Sequence, residues 1–174
     1  WCSLGKPLGR YVIFGTCKMI DQDREIICAG SILWDIIGRV EEELELGHDK
    51  SGKIMRRPGG VTFNIAQKLS KLGLKPTMLS VIGEDPEGAQ LSEHCHALGL
   101  DMQYVHCSKK RATDRYMAIE DRNGLVSAVA DARLLEHEGY KILEPLKDGR
   151  LGTPTNPSSS VLILDGNLTR EQLS

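Results

Sequence analysis

Three features of the sequence predict an α/β fold in which helices cover both faces of a parallel sheet. Short apolar runs of strand length occur at residues 26–33, 77–82 and 161–164. Segments with apolar residues at helical spacing occur at residues 64–72 and 87–98. The chain therefore alternates strand, helix, strand and helix, which is typical of βαβ units whose strands run parallel.

The composition narrows the class of protein. The chain has 174 residues, of which 40% are hydrophobic and 26% are charged, so it can bury a core. Its net charge of −2 and its isoelectric point of about 6.2 create no field that favours nucleic acid or an anionic membrane. No apolar run approaches the roughly 20 residues that span a bilayer. We therefore expect neither nucleic acid nor a membrane as a partner.

The cysteines and the N-terminus indicate a cytoplasmic location and a longer parent chain. The chain begins at Trp1 rather than Met and shows no signal-peptide pattern, so we expect it to be a piece of something longer. Residues 1–24 are an unassigned extension or linker, with a short strand at 11–14. An odd, scattered set of cysteines predicts reduced thiols in the cytosol, with an organelle left open: Cys2, Cys17, Cys28, Cys95 and Cys107.

The middle of the chain predicts two adjacent strands. Residues 115–119 and 125–129 are apolar-rich, and Asn123-Gly124 between them is a typical hairpin turn. Two such strands are unusual inside an α/β chain. The remaining predictions are a strand at 102–105, a helix at 132–139 and a surface loop at 151–160.

The most informative stretch is a glycine pair that leads into a helix. Gly59 and Gly60 lack a Cβ, so the backbone there can pass close to a ligand. The helix that follows ends at Gly73, where a C-cap is expected. Its N-terminus carries partial positive charge and unpaired N–H groups, and Asn64 in its first turn can bind a polar ligand. The stretch predicts a binding corner for hydroxyls or phosphate.

The spacing of Gly59-Gly60, Asn64, Ala66, Gly73 and Gly83 resembles the N-terminal motif of the ribokinase-like (PfkB) sugar and nucleoside kinases. The resemblance covers residues 26–174 in order of elements and is strongest at 58–88. It implies that residues 25–174 form a Rossmann-type three-layer sheet with a small β lid, with lid strands within about 36–57 and 113–130. Thr62 departs from the pattern, since the family usually has a small residue there.

Acidic and amide side chains follow two of the predicted strands. Asp35 comes after the first strand, and ligands of open α/β sheets bind beyond the carboxyl ends of strands. The resemblance implies that its carboxylate accepts hydrogen bonds from two sugar hydroxyls; the alternative is an ordinary loop acid. Asp165 and Asn167 follow the last strand and resemble a family Asp-x-Asn. The alternative for this pair is turn capping by an Asx side chain.

Four other motifs have a less specific interpretation. Residues 47–53 have the spacing of a phosphate-binding loop, but Ile54 replaces the Ser or Thr that binds Mg²⁺, so we interpret them as a flexible turn. His94 and His96 flank Cys95 on a helix and therefore point to different sides, which argues against a metal site. The acidic run at 41–45 is interpreted as the solvated part of a strand or hairpin face at 36–46. The basic cluster at 109–111 is interpreted as a solvated loop, although it could meet a phosphate.

The resemblance also implies what the chain lacks. The family's C-terminal Gly-Ala-Gly-Asp motif, whose Asp acts as base, and its Asn-x-x-Glu motif have no match between Trp1 and Ser174. The chain therefore resembles the substrate-and-lid half of a kinase, truncated before the C-terminal nucleotide-binding half. ATP and Mg²⁺ are expected for the full-length enzyme, and no catalytic residue is assigned within this chain.

The resemblance implies transfer of the ATP γ-phosphate to a primary hydroxyl of a sugar or nucleoside. Similarity is greatest to pseudouridine kinases, which implies the 5′-hydroxyl of pseudouridine, with ribose, fructose and adenosine left open. Substrate-binding residues would be Asp35, Gly59, Gly60, Asn64, Asp165 and Asn167. The alternative is an inactive truncated product that retains sugar binding or lid-mediated dimerisation. A homodimer through the lid and a fused upstream glycosidase are further expectations.

Overall fold

The structure, a computed structural model, describes residues 11–14, 18–21, 25–157 and 160–173. Most of the predicted extension at 1–24 lies outside these residues, but the short strand predicted at 11–14 is confirmed. In chain order the elements are β1 (Tyr11–Phe14), β2 (Lys18–Asp21), β3 (Ile26–Ala29), β4 (Leu33–Arg39), β5 (Lys53–Gly59), α1 (Val61–Lys71), β6 (Pro76–Leu79), β7 (Val81–Gly83), α2 (Pro86–Ala97), β8 (His106–Ser108), β9 (Arg115–Asp121), β10 (Gly124–Asp131), α3 (Arg133–Glu138), a 3-10 helix (Gly139–Leu146), β11 (Gly152–Thr153), β12 (Asn156–Pro157) and β13 (Val161–Leu164).

A parallel sheet forms the middle layer, as predicted. Its strands are ordered β13-β3-β6, and Ala29 of β3 lies between Leu164 of β13 and Leu79 of β6. The predicted strand at 77–82 is interrupted at Ser80, whose carbonyl accepts the N–H of His106. Beyond that point β7 pairs in parallel with β8. The parallel arrangement brings the carboxyl ends of β3 and β13 to the same edge.

Helices cover both faces of this sheet, which confirms the three-layer arrangement. On one face, Phe63 of α1 and Leu91 of α2 are buried against Cys28 and Met78. On the other face, apolar residues of α3 and the 3-10 helix pack against strand residues whose side chains point away from α1 and α2. The helical residues are Leu134, Leu135, Ile142 and Leu143, and the strand residues are Ile27, Ala29 and Leu79. Burial of this apolar surface on both faces is the main force that stabilises the fold.

A second sheet, which we call the lid sheet, has the order β10-β9-β4-β5. The predicted hairpin is confirmed, because β9 and β10 are antiparallel and Asp121 pairs with Gly124 across the turn. Strand β4 pairs in parallel with β9 and antiparallel with β5. The lid sheet therefore joins two parts of the chain that are far apart in sequence, residues 33–59 and 115–131.

Two predicted strands have different bounds. The run at 26–33 predicted one strand, but β3 ends at Ala29 because Gly30 has a φ of +147° and turns the chain out of the sheet. Leu33 then begins β4, so the predicted strand or hairpin face at 36–46 ends at Arg39 as regular structure. Residues 41–46 lie largely exposed in the loop before β5.

Three further predictions need correction. The strand predicted at 102–105 is wrong: Val105 N donates to Met102 O in a turn, and the strand begins at His106. The loop predicted at 151–160 contains the short antiparallel pair β11 and β12. Strand β13 is present as predicted but is an edge strand with Leu162 and Leu164 exposed, rather than a buried one.

The segment at 47–53 lies mainly in a loop, and the histidines that flank Cys95 lie on α2. Residues 47–53 lie in the loop that joins two lid strands, and Lys53 begins β5. Cys95 is buried in the core while His94 and His96 are exposed, as predicted. Within the described ranges no group of His, Cys, Asp and Glu residues could hold a metal ion. The helices of the described residues are too short or too polar to cross a membrane.

Glu138 joins α3 to the edge of the sheet. Its carboxylate accepts a hydrogen bond from Ser108 Oγ at 2.8 Å and contacts Lys141 Nζ at 2.8 Å and His106 Nε2 at 3.3 Å. The hydrogen bond from Lys141 is the largest cause that lowers the pKa of Glu138 from 4.5 to about 2; burial opposes it, while Ser108 and His106 assist it. The carboxylate is therefore held in its charged form by Lys141 on the 3-10 helix and by Ser108 and His106 on β8.

We predict that Glu138→Gln reduces the loss of unfolding free energy that occurs as the pH is lowered below about 4.5. The folded-state pKa lies below the unfolded one, so the stabilisation by this carboxylate is present above pH 4.5 and is lost as the pH falls towards about 2. Urea denaturation at a series of pH values should show that the variant loses less unfolding free energy than wild type over this interval. Glu136→Gln on the same helix, where the side chain is exposed, is the matched control. Parallel acid limbs in wild type and Glu138→Gln would contradict the assignment.

Candidate functional site

A cavity of about 360 Å³ lies at the carboxyl ends of β3 and β13, beneath the lid sheet. Four of the residues predicted for the site line it, namely Asp35, Gly60, Asn64 and Asn167. Its polar lining comes from the turn after β3, the lid sheet, the residue before β9, α1 and the segment after β13: Ser31, Asp35, Tyr116, Asp114, Asn64 and Asn167. The position agrees with the rule that open α/β sheets bind ligands beyond strand ends.

Gly60 forms the floor of the cavity at the start of α1. Its φ is +100°, and a Cβ there would lie 2.6 Å from the carbonyl oxygen of Ser31. Ser31 also accepts hydrogen bonds from two N–H groups at the start of α1. Val61 N donates to its Oγ at 3.0 Å, and Phe63 N donates to its carbonyl oxygen at 3.3 Å. The prediction of unpaired N–H groups at this helix start is therefore wrong for these two residues.

Gly59 allows Asp35 to approach the turn. A Cβ on Gly59 would lie 2.4 Å from the carboxyl group of Asp35, so a larger residue and the present Asp35 side chain cannot coexist. Gly59 is buried and does not itself line the cavity, whereas Asp35 does. Of the two glycines, Gly60 is therefore the one that lines the cavity, and Gly59 leaves room for the carboxylate.

Asp35 is the third residue of β4 in the lid sheet and does not lie in a loop after β3. Its Oδ2 is 3.7 Å from Nε of Arg57, its partner on β5, and the side chain is 17% exposed. Burial raises the pKa of Asp35 above its ordinary value, and the nearby Arg57 opposes that rise. The carboxylate therefore has one long ion pair and lone pairs available to hydroxyl donors.

Asn64 and Asn167 approach the cavity from α1 and from the segment after β13. Both residues are exposed, and within the described ranges neither side chain makes a hydrogen bond. Each amide can both donate and accept. Together with Asp35 they offer the mixed donor and acceptor set that a polyhydroxylated ligand requires.

Asp165 is not at the cavity surface, although it was predicted for the site. It is 3% exposed, and its carboxylate accepts hydrogen bonds from Ser31 N at 3.0 Å, from Ser31 Oγ, from Thr62 Oγ1 at 3.2 Å and from Asn167 N at 2.8 Å. Burial acts to raise the pKa of Asp165, but these donors prevail and lower it. The last contact is the Asx turn that was the alternative interpretation.

Thr62, the departure from the family pattern, is explained by the same network. Its side chain is buried, and its hydroxyl is one of the donors to Asp165. Gly30 leaves room for both groups, since a Cβ there would lie 2.1 Å from Asp165 Cβ and 2.4 Å from Thr62 Oγ1. Thr62 therefore supports the floor of the cavity and does not line it.

The sequence analysis missed Tyr116 and Asp114. Tyr116 lies beside Asp35 because β4 pairs with β9, a contact between residues about eighty positions apart that no local pattern predicts. Asp114 is buried, and its carboxylate accepts the N–H groups of Leu134 and Leu135 at 2.9 and 3.0 Å. Burial raises the pKa of Asp114 to about 6, against the effect of these two bonds. Its carboxylate holds the start of α3 beside the cavity.

Comparisons with known proteins agree with this architecture. The family model described as pfkB family carbohydrate kinase matches residues 23–141. An uncharacterized sugar kinase, YeiI, of Escherichia coli (strain K12) is 30% identical over 162 residues, which are 92% of this chain and 43% of that protein. The pseudouridine kinase of the same organism is 31% identical over 110 residues, 63% of this chain and 35% of that protein.

A solved structure shares the fold. The carbohydrate kinase from Agrobacterium tumefaciens superposes with a TM-score of 0.69 at 27% sequence identity, covering 86% of this chain and 48% of that one. The chain therefore belongs to the pfkB family of carbohydrate kinases, a class of sugar and nucleoside kinases. It spans less than half the length of each of these three relatives.

We predict that Gly59→Ala displaces Asp35 and destabilises the protein. The added methyl would meet the carboxyl group at 2.4 Å, an overpacking that costs about 1–3 kcal/mol. Gly166→Ala is the matched control, since nothing lies within 4 Å of its Cβ position, and it should change stability by less than about 0.5 kcal/mol. Denaturant unfolding measures both effects. Equal stabilities for the two variants would show that Gly59 does not place Asp35.

Proposed function

We propose that the full-length protein containing this chain transfers the γ-phosphate of ATP to the primary hydroxyl of a nucleoside, with pseudouridine as the first candidate. The observation that carries the proposal is the cavity. Asp35, Asn64 and Asn167 provide hydroxyl-binding groups, and Tyr116 with apolar neighbours provides a surface for a planar base. Similarity to a pseudouridine kinase over 63% of the chain supports the same substrate class.

The polar groups would bind the sugar. Asp35 is the strongest acceptor, because a charged carboxylate can accept hydrogen bonds from two neighbouring hydroxyls of a ribose ring. Asn64 and Asn167 would complete the set from the floor, where Gly60 lets the ring approach the backbone. The sugar would thus be held between the lid sheet and the start of α1. Such positioning lowers the entropic part of the barrier for the reacting hydroxyl.

The remaining residues that line the cavity are apolar, and they suit a nucleobase better than a free sugar. The apolar residues come from the lid sheet and its flanks, from α1 and from α3: Leu33, Val61, Ala130, Ala132 and Leu135. The ring of Tyr116 lies across β4–β9 from Asp35 and can stack on a planar group. A nucleoside would therefore satisfy both halves of the cavity, whereas ribose or fructose would satisfy the polar half.

The phosphoryl-transfer machinery is proposed to lie outside this chain. The resemblance assigns the general base to a Gly-Ala-Gly-Asp motif, and ATP and Mg²⁺ would bind near it. Mg²⁺ would neutralise charge on the transferred phosphoryl group, and the residues described here would hold the acceptor hydroxyl in place. Homodimerisation through the lid sheet, a fused glycosidase and the cytoplasmic location stay predictions of the sequence.

We predict that Asp35→Asn and Asn64→Ala weaken nucleoside binding by the full-length protein. Loss of a charged acceptor costs about 1.5–3 kcal/mol, which is roughly a 10- to 100-fold rise in Kd, and loss of the Asn64 amide costs about 1 kcal/mol. Titration calorimetry with pseudouridine, uridine, adenosine, ribose and fructose measures the effect and ranks the substrates. Asp148→Asn, which removes an exposed carboxylate paired with Arg150, is the control.

These titrations, together with an assay for ADP formation, separate the alternatives. If wild type binds a nucleoside and forms ADP from ATP, the kinase proposal holds. Binding without ADP formation would favour a sugar-binding protein that lacks catalysis. Unchanged affinity in both Asp35→Asn and Asn64→Ala would show that the cavity is not the substrate site.

We predict that Tyr116→Ala discriminates between nucleosides and free sugars. Stacking of a base on an aromatic ring contributes about 1–3 kcal/mol, so the affinity for pseudouridine should fall by roughly 5- to 100-fold. Ribose, which has no base, should bind with nearly unchanged affinity. Tyr116→Phe keeps the ring and should bind both ligands as wild type does. A parallel loss for ribose and pseudouridine would contradict the role of Tyr116 as a platform for the base.

A further inference from the structure

Glu87, the second residue of α2, contacts three strands of the lid sheet. Its carbonyl oxygen accepts a hydrogen bond from Trp34 Nε1 of β4 at 3.0 Å. Its Oε2 is 2.8 Å from Arg115 Nε of β9, and its Oε1 is 3.5 Å from a terminal nitrogen of Arg56 on β5. The guanidinium of Arg56 also lies 3.7 Å from the centroid of the Trp34 ring. One residue of α2 therefore contacts β4, β5 and β9.

These contacts are on the face of the lid sheet opposite the cavity. Side chains alternate between the two faces along a strand, so the residue after each contact points the other way. Asp35 follows the contact on β4, and Tyr116 follows the contact on β9. These two residues are paired in register and both line the cavity. A shift of the outer-face contacts would move the cavity-facing residues by the same amount.

Glu87 is itself held firmly. Asp85 is the N-cap of α2, and its carboxylate accepts Gly88 N at 2.7 Å as well as Thr113 N and Oγ1, both at 2.8 Å. Thr113 precedes β9 by two residues, so the start of α2 and the start of β9 share a polar connection. Leu91 and Cys95 bury the helix in the core. Glu87 is therefore a fixed point against which the lid strands can be positioned.

The charges around Glu87 suit this role. Two guanidinium groups face one carboxylate, whose side chain is 28% exposed. Its Oε2 is enclosed, and within the described ranges no donor is aligned for a hydrogen bond to it, so the contact with Arg115 is an ion pair. Removal of the carboxylate would leave Arg56 and Arg115 without their shared counter-charge. Both arginines are partly exposed and would turn towards water.

We propose that Glu87 is a positioning residue: it fixes β4, β5 and β9 against α2 and thereby sets where Asp35 and Tyr116 lie over the cavity. The consequence for substrate binding rests on the proposed function of that cavity. Glu87 itself touches no ligand, so it acts through the lid strands. The position of the lid strands can be measured without any substrate, which keeps the two proposals separable.

The first measurement is the fluorescence of Trp34 in the full-length protein. A Trp1→Phe background, together with replacement of any tryptophan outside this chain, makes Trp34 the reporter. Glu87→Ala should shift its emission to longer wavelength and increase quenching by acrylamide, because the lid strands lose both ion pairs with α2 and Arg56 can move off the ring. The hydrogen bonds from Trp34 Nε1 to the backbone carbonyl at position 87 and from Arg56 to Gln90 are kept, so the shift should be partial. Glu87→Gln, which keeps an acceptor oxygen but no charge, should give a smaller shift. Hydrogen exchange in β4, β5 and β9 should rise in the same order.

The second measurement is the affinity for pseudouridine and the turnover of the same variants. Misplacement of Asp35 should raise the KM of Glu87→Ala roughly tenfold and lower kcat by less. Glu84→Gln is the matched control: it removes a carboxylate near the same end of α2 that pairs with exposed Lys109 and does not contact the lid sheet. It should leave Trp34 emission, hydrogen exchange and KM as in wild type.

Each outcome decides one proposal. Unchanged Trp34 emission and hydrogen exchange in folded Glu87→Ala overturn the positioning role of Glu87. Altered lid signals with wild-type KM overturn it as well, since the lid would then move without effect on the cavity. If wild type binds none of the tested sugars and nucleosides, the proposed function fails, and the Trp34 signals still decide whether Glu87 fixes the lid strands.

Discussion

The buried carboxylate of Asp165 joins the segments on which the cavity depends. It accepts hydrogen bonds from Ser31 in the turn after β3 and from Thr62 in the first turn of α1, while it follows β13. Ser31 in turn accepts two N–H groups at the start of α1. The carboxyl ends of two strands and the start of one helix are thus held by one charge. A buried charge is tolerated here because donors surround it.

The cavity is formed by two parts that are fixed independently. Its floor consists of the glycine turn, α1 and the segment after β13, and these are held by the network around Asp165. Its roof is the lid sheet, which contacts Glu87 of α2 on the face opposite the cavity. The floor contributes amide groups and close backbone approach, and the roof contributes Asp35 and Tyr116. The shape of the cavity therefore depends on the relative position of two sheets.

The sequence predicted the parts of this arrangement that depend on local patterns. The glycine turn before α1, the Asn-Gly hairpin and the helices that end near Gly73 and Gly99 follow from short-range chemistry, and all are present. The position of Asn64 in the first turn of α1 also followed from the sequence, and the family resemblance added the sugar-binding role of Asp35 and the Asp-x-Asn match at Asp165 and Asn167. The strand predicted at 102–105 was wrong because apolar content alone does not distinguish a turn that packs under the sheet from a strand.

The parts that could not be predicted depend on pairing between distant segments. Tyr116 enters the site because β4 and β9 pair in parallel, and a shift of that register by one residue would turn its side chain to the other face. Ser31 and Thr62 gain their roles from Asp165, which is more than one hundred residues away from each. No periodicity within a segment carries that information.

The two aspartates predicted for the site show why residue type alone does not decide a role. Asp165 has its oxygens occupied by four donors from the protein, which lower its pKa and leave it little capacity for a ligand. Asp35 has one distant arginine partner, and burial raises its pKa. A carboxylate that is partly desolvated but poor in partners gains most from hydroxyl groups that a ligand brings. Asp35 therefore keeps hydrogen-bonding capacity that faces the cavity, as the proposed function requires, whereas Asp165 uses its capacity to support the floor.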